Sequence, residues 1–303
     1  MTPDLTPALQ PLGGPFGYAL TVDVEEWYHT CLVPEYVYPE RRPRLAEALD
    51  RDLPCLLELL GEFGRRATFF VLGEVASRHP QRVREIADAG HEIGSHGSLH
   101  LRADWQSAAG FRSDVRTSKQ LLEDLTGVAV HGFRAPEWSL RRPGNPRLEV
   151  IAELGFEYDS SLAPCYGAGR LDNPRSPVEI TWQEGARLRE YPPLTFGGRL
   201  QLPAGGWPGR LAPPAWLAAA ARRLEARGGM PVMVVHPWEL GGATPGDLTG
   251  FARFVHETGR PGYRVKFRQL LAELPWTSID AADRQRGRPG AATSGLLSTQ
   301  PRR

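Results

Sequence analysis

Short unbroken apolar runs alternate along the chain with longer stretches in which apolar residues recur at three- or four-residue intervals. The first pattern predicts buried strands and the second amphipathic helices. "YALTVDV" (18–24) is the first strand, and "LLELLGEF" (56–63) a helix with Pro54 at its start or at a kink. "ATFFVLG" (67–73) is the next strand. "EVASRHPQRVREIADAG" (74–90) has helical spacing, with Pro80 dividing it and Gly90 stopping it. "HEIGSH" (91–96) is a short strand running into a loop, followed by a helix over 111–127. "AVHGFRAP" (129–136) is a strand ended by Pro136, "RLEVIAELG" (147–155) a helix and "FEYDSS" (156–161) a strand. "PVMVVHPW" (231–238) is strand-like, and 247–259 is helical. Repeated strand–helix alternation predicts parallel strands, in a (β/α) barrel or a doubly wound sheet. Residues 165–212, rich in Pro, Gly and Arg, break the rhythm as an excursion of loops and short strands. The ordered domain then covers 17–281, between a flexible Pro/Gly-rich arm (1–16) and a tail (282–303) whose composition predicts disorder.

Composition adds mostly exclusions. With 303 residues, 41% hydrophobic and 23% charged, the chain has the make-up of an ordinary globular protein with a sizeable core. A net charge of +1 gives no field directed at nucleic acid or an anionic membrane, although Lys119 and Lys266 are the only lysines in an arginine-rich sequence. Three separated cysteines, Cys31, Cys55 and Cys165, fit neither a disulfide framework nor a cysteine zinc cluster. No secretory leader pattern and no spanning apolar run is visible, so the expected location is the cytoplasm, with docking at a membrane export complex as the variant. The oligomeric state is left open.

The chemistry gathers at strand ends. Asp23 and Glu25 stand two apart after the first strand and so share a face. Two such carboxylates repel unless a cation or arginine intervenes; alternatively, they are ordinary loop acids. In "HEIGSHGSLH" (91–100), His96 and His100 stand four apart beside Gly94 and Gly97. A pair of imidazoles with a carboxylate suits a divalent transition metal, whereas an isolated pair is often simply buried. His91, within the strand, is structural. Arg134 ends another strand, where it either holds Asp23 ionised or makes a surface ion pair. Pro136 and Trp138 wall a sugar groove or fill core. Asp159 ends a further strand. His236 closes an apolar strand, as a general acid or as a structural histidine, and Val234 on the same side could line a small acyl pocket. In a parallel barrel all these ends share one face.

Taken in order, "TVDVEEWYH", "TFFVLGEVASRHP", "AGHEIGSHGSLH", "FRSDVRTSKQLLEDLTG", "GFRAPEWS", "YDSSLAP", "LPAGGWPGRLAP" and "HPWEL" resemble the polysaccharide deacetylases that share the NodB homology domain, over roughly residues 17–275. The nearer resemblance is to the subfamily found with exopolysaccharide and PEP-CTERM export loci. The resemblance implies a distorted (β/α) barrel that binds one divalent metal, usually zinc with cobalt or manganese as alternatives, and removes N-acetyl groups from a glycan. By the same resemblance His96 and His100 are metal ligands and Glu25 the third, with Glu26 as its rival. Asp23 is the general base, Arg134 its support, His236 the general acid and Asp159 the residue that orients that acid. Substrate contacts fall on Trp138, Val234 and Trp238, and on a backbone N–H near Tyr28 that could face the oxyanion. The sequence departs from the pattern at Val24, which separates Asp23 from Glu25, at Glu137-Trp138 and at Trp207-Pro208. Two alternatives remain: the same fold acting on a linear or cyclic amide, as allantoinase-like relatives do, or an inactive carbohydrate-binding scaffold.

Overall fold

The computed structural model describes residues 7–33, 36, 38–44, 47–242 and 248–287. The first half contains β1 (Ala8–Pro11), β2 (Tyr18–Val24), α1 (Leu49–Glu62), β3 (Thr68–Val71), α2 (Gly73–Arg78), α3 (Pro80–Asp88), β4 (Glu92–Ser95), α4 (Ala108–Thr126), β5 (Gly132–Phe133) and α5 (Pro146–Glu153). It continues through β6 (Tyr158–Asp159), β7 (Val178–Thr181), β8 (Arg187–Glu190), β9 (Thr195–Phe196), β10 (Leu202–Pro203), α6 (Gly206–Leu211) and α7 (Pro214–Glu225). The last elements are β11 (Val232–Val235), α8 (Pro237–Leu240), α9 (Gly250–Glu257), α10 (Tyr263–Glu273), β12 (Trp276–Thr277) and α11 (Ile279–Asp283).

The strands lie in the order β1-β7-β8-β6-β5-β4-β3-β2-β11, and β12 adds to β2. From β11 to β8 every pairing is parallel. Just past β8, Leu194 donates its N–H to the Val232 carbonyl of β11 at 2.8 Å, which draws the open ends together. The result is a distorted (β/α) barrel.

Side-chain alternation then divides each strand between two environments. Leu20, Val22 and Val24 of β2 join a large cluster with Leu53 and Leu56 of α1 and with Phe69 and Val71 of β3, so they face the helices. Ala19, Phe70, Tyr158 and Val232 form a second, inner cluster. Gly94 and Gly132 make room for it, because a Cβ at Gly94 would lie 2.6 Å from Phe70 Cδ1 and one at Gly132 2.2 Å from Tyr158 Cζ. At the foot of the barrel, α11 plugs the lumen with Ile279 and Ala282. Thr68, Tyr158 and the Asp280 N–H all donate to the half-buried Glu92 carboxylate there.

Three expectations need correction. The N-terminal segment is not a loose arm where it is described: β1 pairs antiparallel with β7 and Phe16 is buried. The reason is that β7 would otherwise leave an unpaired edge; residues 1–6 lie outside the described residues. The excursion at 165–212 does hold loops and short strands, but it does not leave the main sheet altogether: β7 and β8 join it, and only β9 and β10 pair apart from it. A turn at Gly185 (φ +86°) returns β7 into β8, and β8 pairs parallel with β6. The tail begins later than expected, since α11 and a 3-10 turn (Arg284–Gly287) continue past 282; residues 288–303 lie outside the described residues. Pro80 does separate two helices, whereas Pro54 sits inside α1, which starts at Leu49, about two turns before the apolar run. Among the described residues no helix is long and apolar enough to cross a membrane.

Candidate active site

The lumen-facing positions that emerge at the upper strand ends are Asp23, His96, Arg134 and His236. Each continues the parity of Ala19, Gly94, Gly132 and Val232 below it. Asp23 Oδ1 accepts from Arg134 Nη1 at 2.7 Å. Arg134 is fully buried, also donates to the Thr21 hydroxyl (2.8 Å), the Ser160 carbonyl (3.1 Å) and the Ser160 hydroxyl (2.8 Å), and lies over the Phe70 ring at 4.3 Å. Burial alone would raise the Asp23 carboxyl, but Arg134, followed by His96 and His236, outweighs it and holds Asp23 below its ordinary range. Asp23 is therefore an oriented, ionised carboxylate with Oδ2 left over.

Glu25, on the same side, points into the gap between the histidines. Its Oε2 lies 2.7 Å from His100 Nε2 and 3.9 Å from His96 Nε2, and these three donors form a group compatible with one metal ion. Burial raises Glu25, and burial depresses both His96 and His100 to about 4, so both imidazoles are neutral. His96 donates from Nδ1 to the Arg134 carbonyl at 2.7 Å, which fixes the tautomer and leaves Nε2 as a lone-pair donor. His100 adopts φ +57°, a left-handed backbone rare for a histidine, and its buried Nδ1 has no hydrogen-bond partner among the described residues.

Glu26 is not part of this group. Both its oxygens accept from the Ala48 N–H at 2.9 Å, and Oε1 from the Leu49 N–H at 2.8 Å, at the start of α1. Adjacent strand residues diverge, and Glu26 went to the helix. It belongs to a separate possible ligand group with Glu47 and His79.

His236 faces Asp23 across the cleft, with Nε2 3.9 Å from Asp23 Oδ2 and 3.6 Å from Glu25 Oε1. Its Nδ1 lies 3.0 Å from Glu239 Oε2, and Glu239 is clamped in turn by the buried Arg210. Burial works to depress His236, but Glu239, then Glu25, lift it to about 9, so it is an imidazolium at neutral pH. Asp159 does not take this orienting place. Its carboxylate accepts from the Ser161 N–H (2.9 Å) and hydroxyl (2.7 Å) and lies against Glu190, which burial and the Asp159 charge push well above the carboxylate range. The pair stiffens the turn that carries Ser160 and hence Arg134. Glu239 and Arg210 were missed by sequence reasoning. The three-residue spacing from His236 within "HPWEL" was the available signal for Glu239; Arg210 had none.

The expected substrate contacts divide. Trp138 is half-buried at φ +48°, next to Glu137 at φ +55°; the strain of two successive left-handed residues is concentrated at the cleft. Tyr28 is 1% exposed, packs edge-on against Trp27 and His29, and accepts from Arg78 at 3.2 Å, so its ring offers no surface to a substrate. Trp238 is buried too. It stacks on His236 (5.1 Å) and directs Nε1 at Glu25 Oε1 (3.5 Å), which makes it a support for both. Val234 lies on the lumen side below His236, covered by Gly205, where an added Cβ would come within 3.0 Å of its own Cβ. His91 is structural: its Nδ1 accepts from the Ala67 N–H at 3.2 Å, and its ring packs on Phe69.

Comparison with known proteins finds matches in both halves of the chain. Residues 50–158 match the family model described as polysaccharide deacetylase, and residues 160–283 match one described as a domain of unknown function, DUF3473. A peptidoglycan deacetylase from Helicobacter pylori is 34% identical over 110 residues, 36% of each chain. A peptidoglycan-N-acetylglucosamine deacetylase from Bacillus cereus is 31% identical over 123 residues, 38% of this chain and 45% of that one. The matches thus span less than half of these curated relatives. The crystal structure of a candidate polysaccharide deacetylase from Mycobacterium smegmatis superposes with a TM-score of 0.62 at 26% identity, covering 97% of this chain and 100% of that one. These matches support a polysaccharide deacetylase domain within the chain. The two matched segments contribute strands to one sheet, β3, β4 and β5 from the first and β7, β8, β11 and β12 from the second, while β2 lies before both.

Proposed function

We propose that the protein is a metal-dependent hydrolase that removes N-acetyl groups from an N-acetylated sugar or polysaccharide. The observation that carries this reading is a cleft with an arginine-held carboxylate on one wall, a charged imidazole on the other, and a Glu–His–His donor group at its floor. The deacetylase relatives support the same reaction class. The donor set fits a divalent ion, because two neutral imidazoles and one carboxylate converge and His96 has its Nε2 free. When bound, such an ion, zinc being the expected one, supplies a Lewis acid for the amide carbonyl and lowers the pKa of water. Glu25, His96 and His100 would hold it. Asp23, kept ionised by Arg134, takes the proton of the attacking water through Oδ2. His236 delivers a proton from Nε2 to the departing amine, and Glu239 sustains the charge it needs to do so. The products are acetate and a free amino sugar. The motif resemblance supports placing the substrate in exopolysaccharide biosynthesis.

The test is acetate release from defined N-acetylated oligosaccharides with zinc, cobalt and manganese compared. Asp23→Asn and His236→Ala should each lower kcat by roughly two orders of magnitude or more while metal content stays at wild-type level. Near wild-type turnover in either variant would remove the role assigned to it. Ammonia or carbamate in place of acetate would move the protein to the amidases of linear or cyclic amides.

A further inference from the structure

The two histidines of the donor group are supported in different ways. His96 has its ring fixed by one hydrogen bond, from Nδ1 to the Arg134 carbonyl. His100 has no such bond: its Nδ1 is buried without a hydrogen-bond partner among the described residues, and its backbone is left-handed at φ +57°. A ligand held neither by an anchored ring nitrogen nor by a relaxed backbone must be held by what surrounds it.

Those surroundings converge on Arg42, a fully buried side chain on a 3-10 turn (Pro39–Arg44). Its Nη1 donates to the Leu99 carbonyl at 2.8 Å, on the peptide that enters His100. The Gly73 and Glu74 N–H groups take the Gly97 and Ser98 carbonyls at 2.9 and 2.8 Å, so three successive carbonyls ahead of His100 are fixed. Arg42 Nη2 donates to the Tyr36 carbonyl at 2.9 Å. The Tyr36 ring stands edge-on to His100 with centroids 6.0 Å apart, and its hydroxyl accepts from the Arg102 N–H at 2.7 Å. Arg42 Nη1 also donates to Glu74 Oε2 at 2.6 Å. The same oxygen lies 3.3 Å from His29 Nε2, and the His29 ring stacks on His100 at 5.8 Å. His29 Nδ1 accepts from the Glu26 N–H at 2.9 Å, so Nε2 carries the proton and donates to Glu74. One guanidinium thus holds the peptide before His100 and anchors both rings beside it. Only a planar fork serves acceptors in several set directions at once. A buried charge is also a costly way to fill space, which an apolar side chain would do better.

Resting on the reading of Glu25, His96 and His100 as metal ligands, we propose that Arg42 is a positioning residue for His100: through the Leu99 carbonyl, Tyr36 and the Glu74–His29 pair it holds that ligand in its left-handed geometry and so sets the affinity of the site for its metal. It does for His100 what the Arg134 carbonyl does for His96.

The experiment measures zinc affinity of the metal-free protein by competition with a chromophoric chelator, and the visible absorption of the cobalt-loaded protein as a probe of ligand geometry. Arg42→Gln should weaken zinc binding roughly 10- to 100-fold, the loss expected when the support of a ligand is removed, and should alter the cobalt spectrum. Arg42→Lys, which keeps the charge without the fork, should fall between wild type and Arg42→Gln. Glu74 keeps Arg78 at 3.4 Å on its other oxygen, so neither change strips it of every cation. If Arg42 serves the fold alone, Arg42→Gln lowers the unfolding temperature of the metal-free protein but leaves zinc affinity and the cobalt spectrum as in wild type; that result overturns the proposal. Should Arg42→Gln fail to fold, Glu74→Gln decides: zinc binding weakened severalfold supports the proposal, and wild-type affinity overturns it. His100→Ala separates this outcome from failure of the metal reading. Wild type that binds no zinc, or His100→Ala with wild-type affinity, brings down the ligand assignment itself. A weakened His100→Ala beside an unmoved Arg42→Gln removes only the role given to Arg42.

Discussion

At the scale of single residues, Glu239 decides how His236 works. Its carboxylate accepts from the His236 N–H at 2.9 Å and lies 3.0 Å from Nδ1, so it fixes the ring and the charge together. His236 is lifted to about 9 against the effect of burial. Replacing Glu239 by Gln removes the largest charge that favours the imidazolium. The pKa must then fall, and the protonated acid is lost at lower pH as pH rises. Glu239→Gln should move the alkaline limb of the kcat profile down by roughly one to two units, with metal content kept. An unmoved limb would mean that another group tunes the acid. The sequence placed His236 correctly at a strand end but offered Asp159 as its partner. Both acids stand at places a barrel could bring near the histidine, and the choice between them is made in three dimensions, where Ser161 and Glu190 occupy Asp159.

At the scale of elements, Glu25 and Glu26 show how one strand end serves two purposes. Neighbouring residues leave a strand in opposite directions. Glu25 shares the side of Asp23 and meets the histidines; Glu26 meets the first free N–H groups of α1, which would otherwise be unsatisfied. Glu25→Ala should therefore lose metal while the fold persists. Glu26→Ala should keep metal, read by elemental analysis, and lose roughly 1–3 kcal/mol of stability in urea, the cost of buried donors left without a partner. Loss of metal in Glu26→Ala with Glu25→Ala retaining it would reverse the assignment. The period-two pattern of "TVDVEEW" predicted that Asp23 and Glu25 share a side; the fate of Glu26 required α1 to be in place.

Over the whole molecule, the barrel works because its lumen is filled with apolar side chains below and lined with ionisable ones above. Tyr158 passes across Gly132 and is held by Glu92 at 2.7 Å and by Tyr191 edge-on, so it has little freedom to give way. Gly132→Ala should lower stability by roughly 1–3 kcal/mol or more, as overpacking does. Gly61→Ala in α1 is the control: nothing lies within 4 Å of the added Cβ, and a helix interior gains up to about 1 kcal/mol from the change. Thermal unfolding should move the two in opposite directions. A neutral Gly132→Ala would mean that the lumen is looser than its contacts imply.

By itself the sequence determined the rhythm of strands and helices and the ends at which Asp23, Glu25, His96, His100, Arg134 and His236 stand, because both follow from local periodicity and breakers. Closure through Leu194, the incorporation of β8, the plug of α11 and the Arg210–Glu239–His236 chain were decided only by the tertiary structure. Two-residue strands such as β5 and β6 carry little periodic signal of their own, and the charged run of β8 reads as surface until β6 supplies its partner. A buried arginine chooses among carboxylates by which segments the barrel brings against it, and that choice appears in no local stretch of the chain.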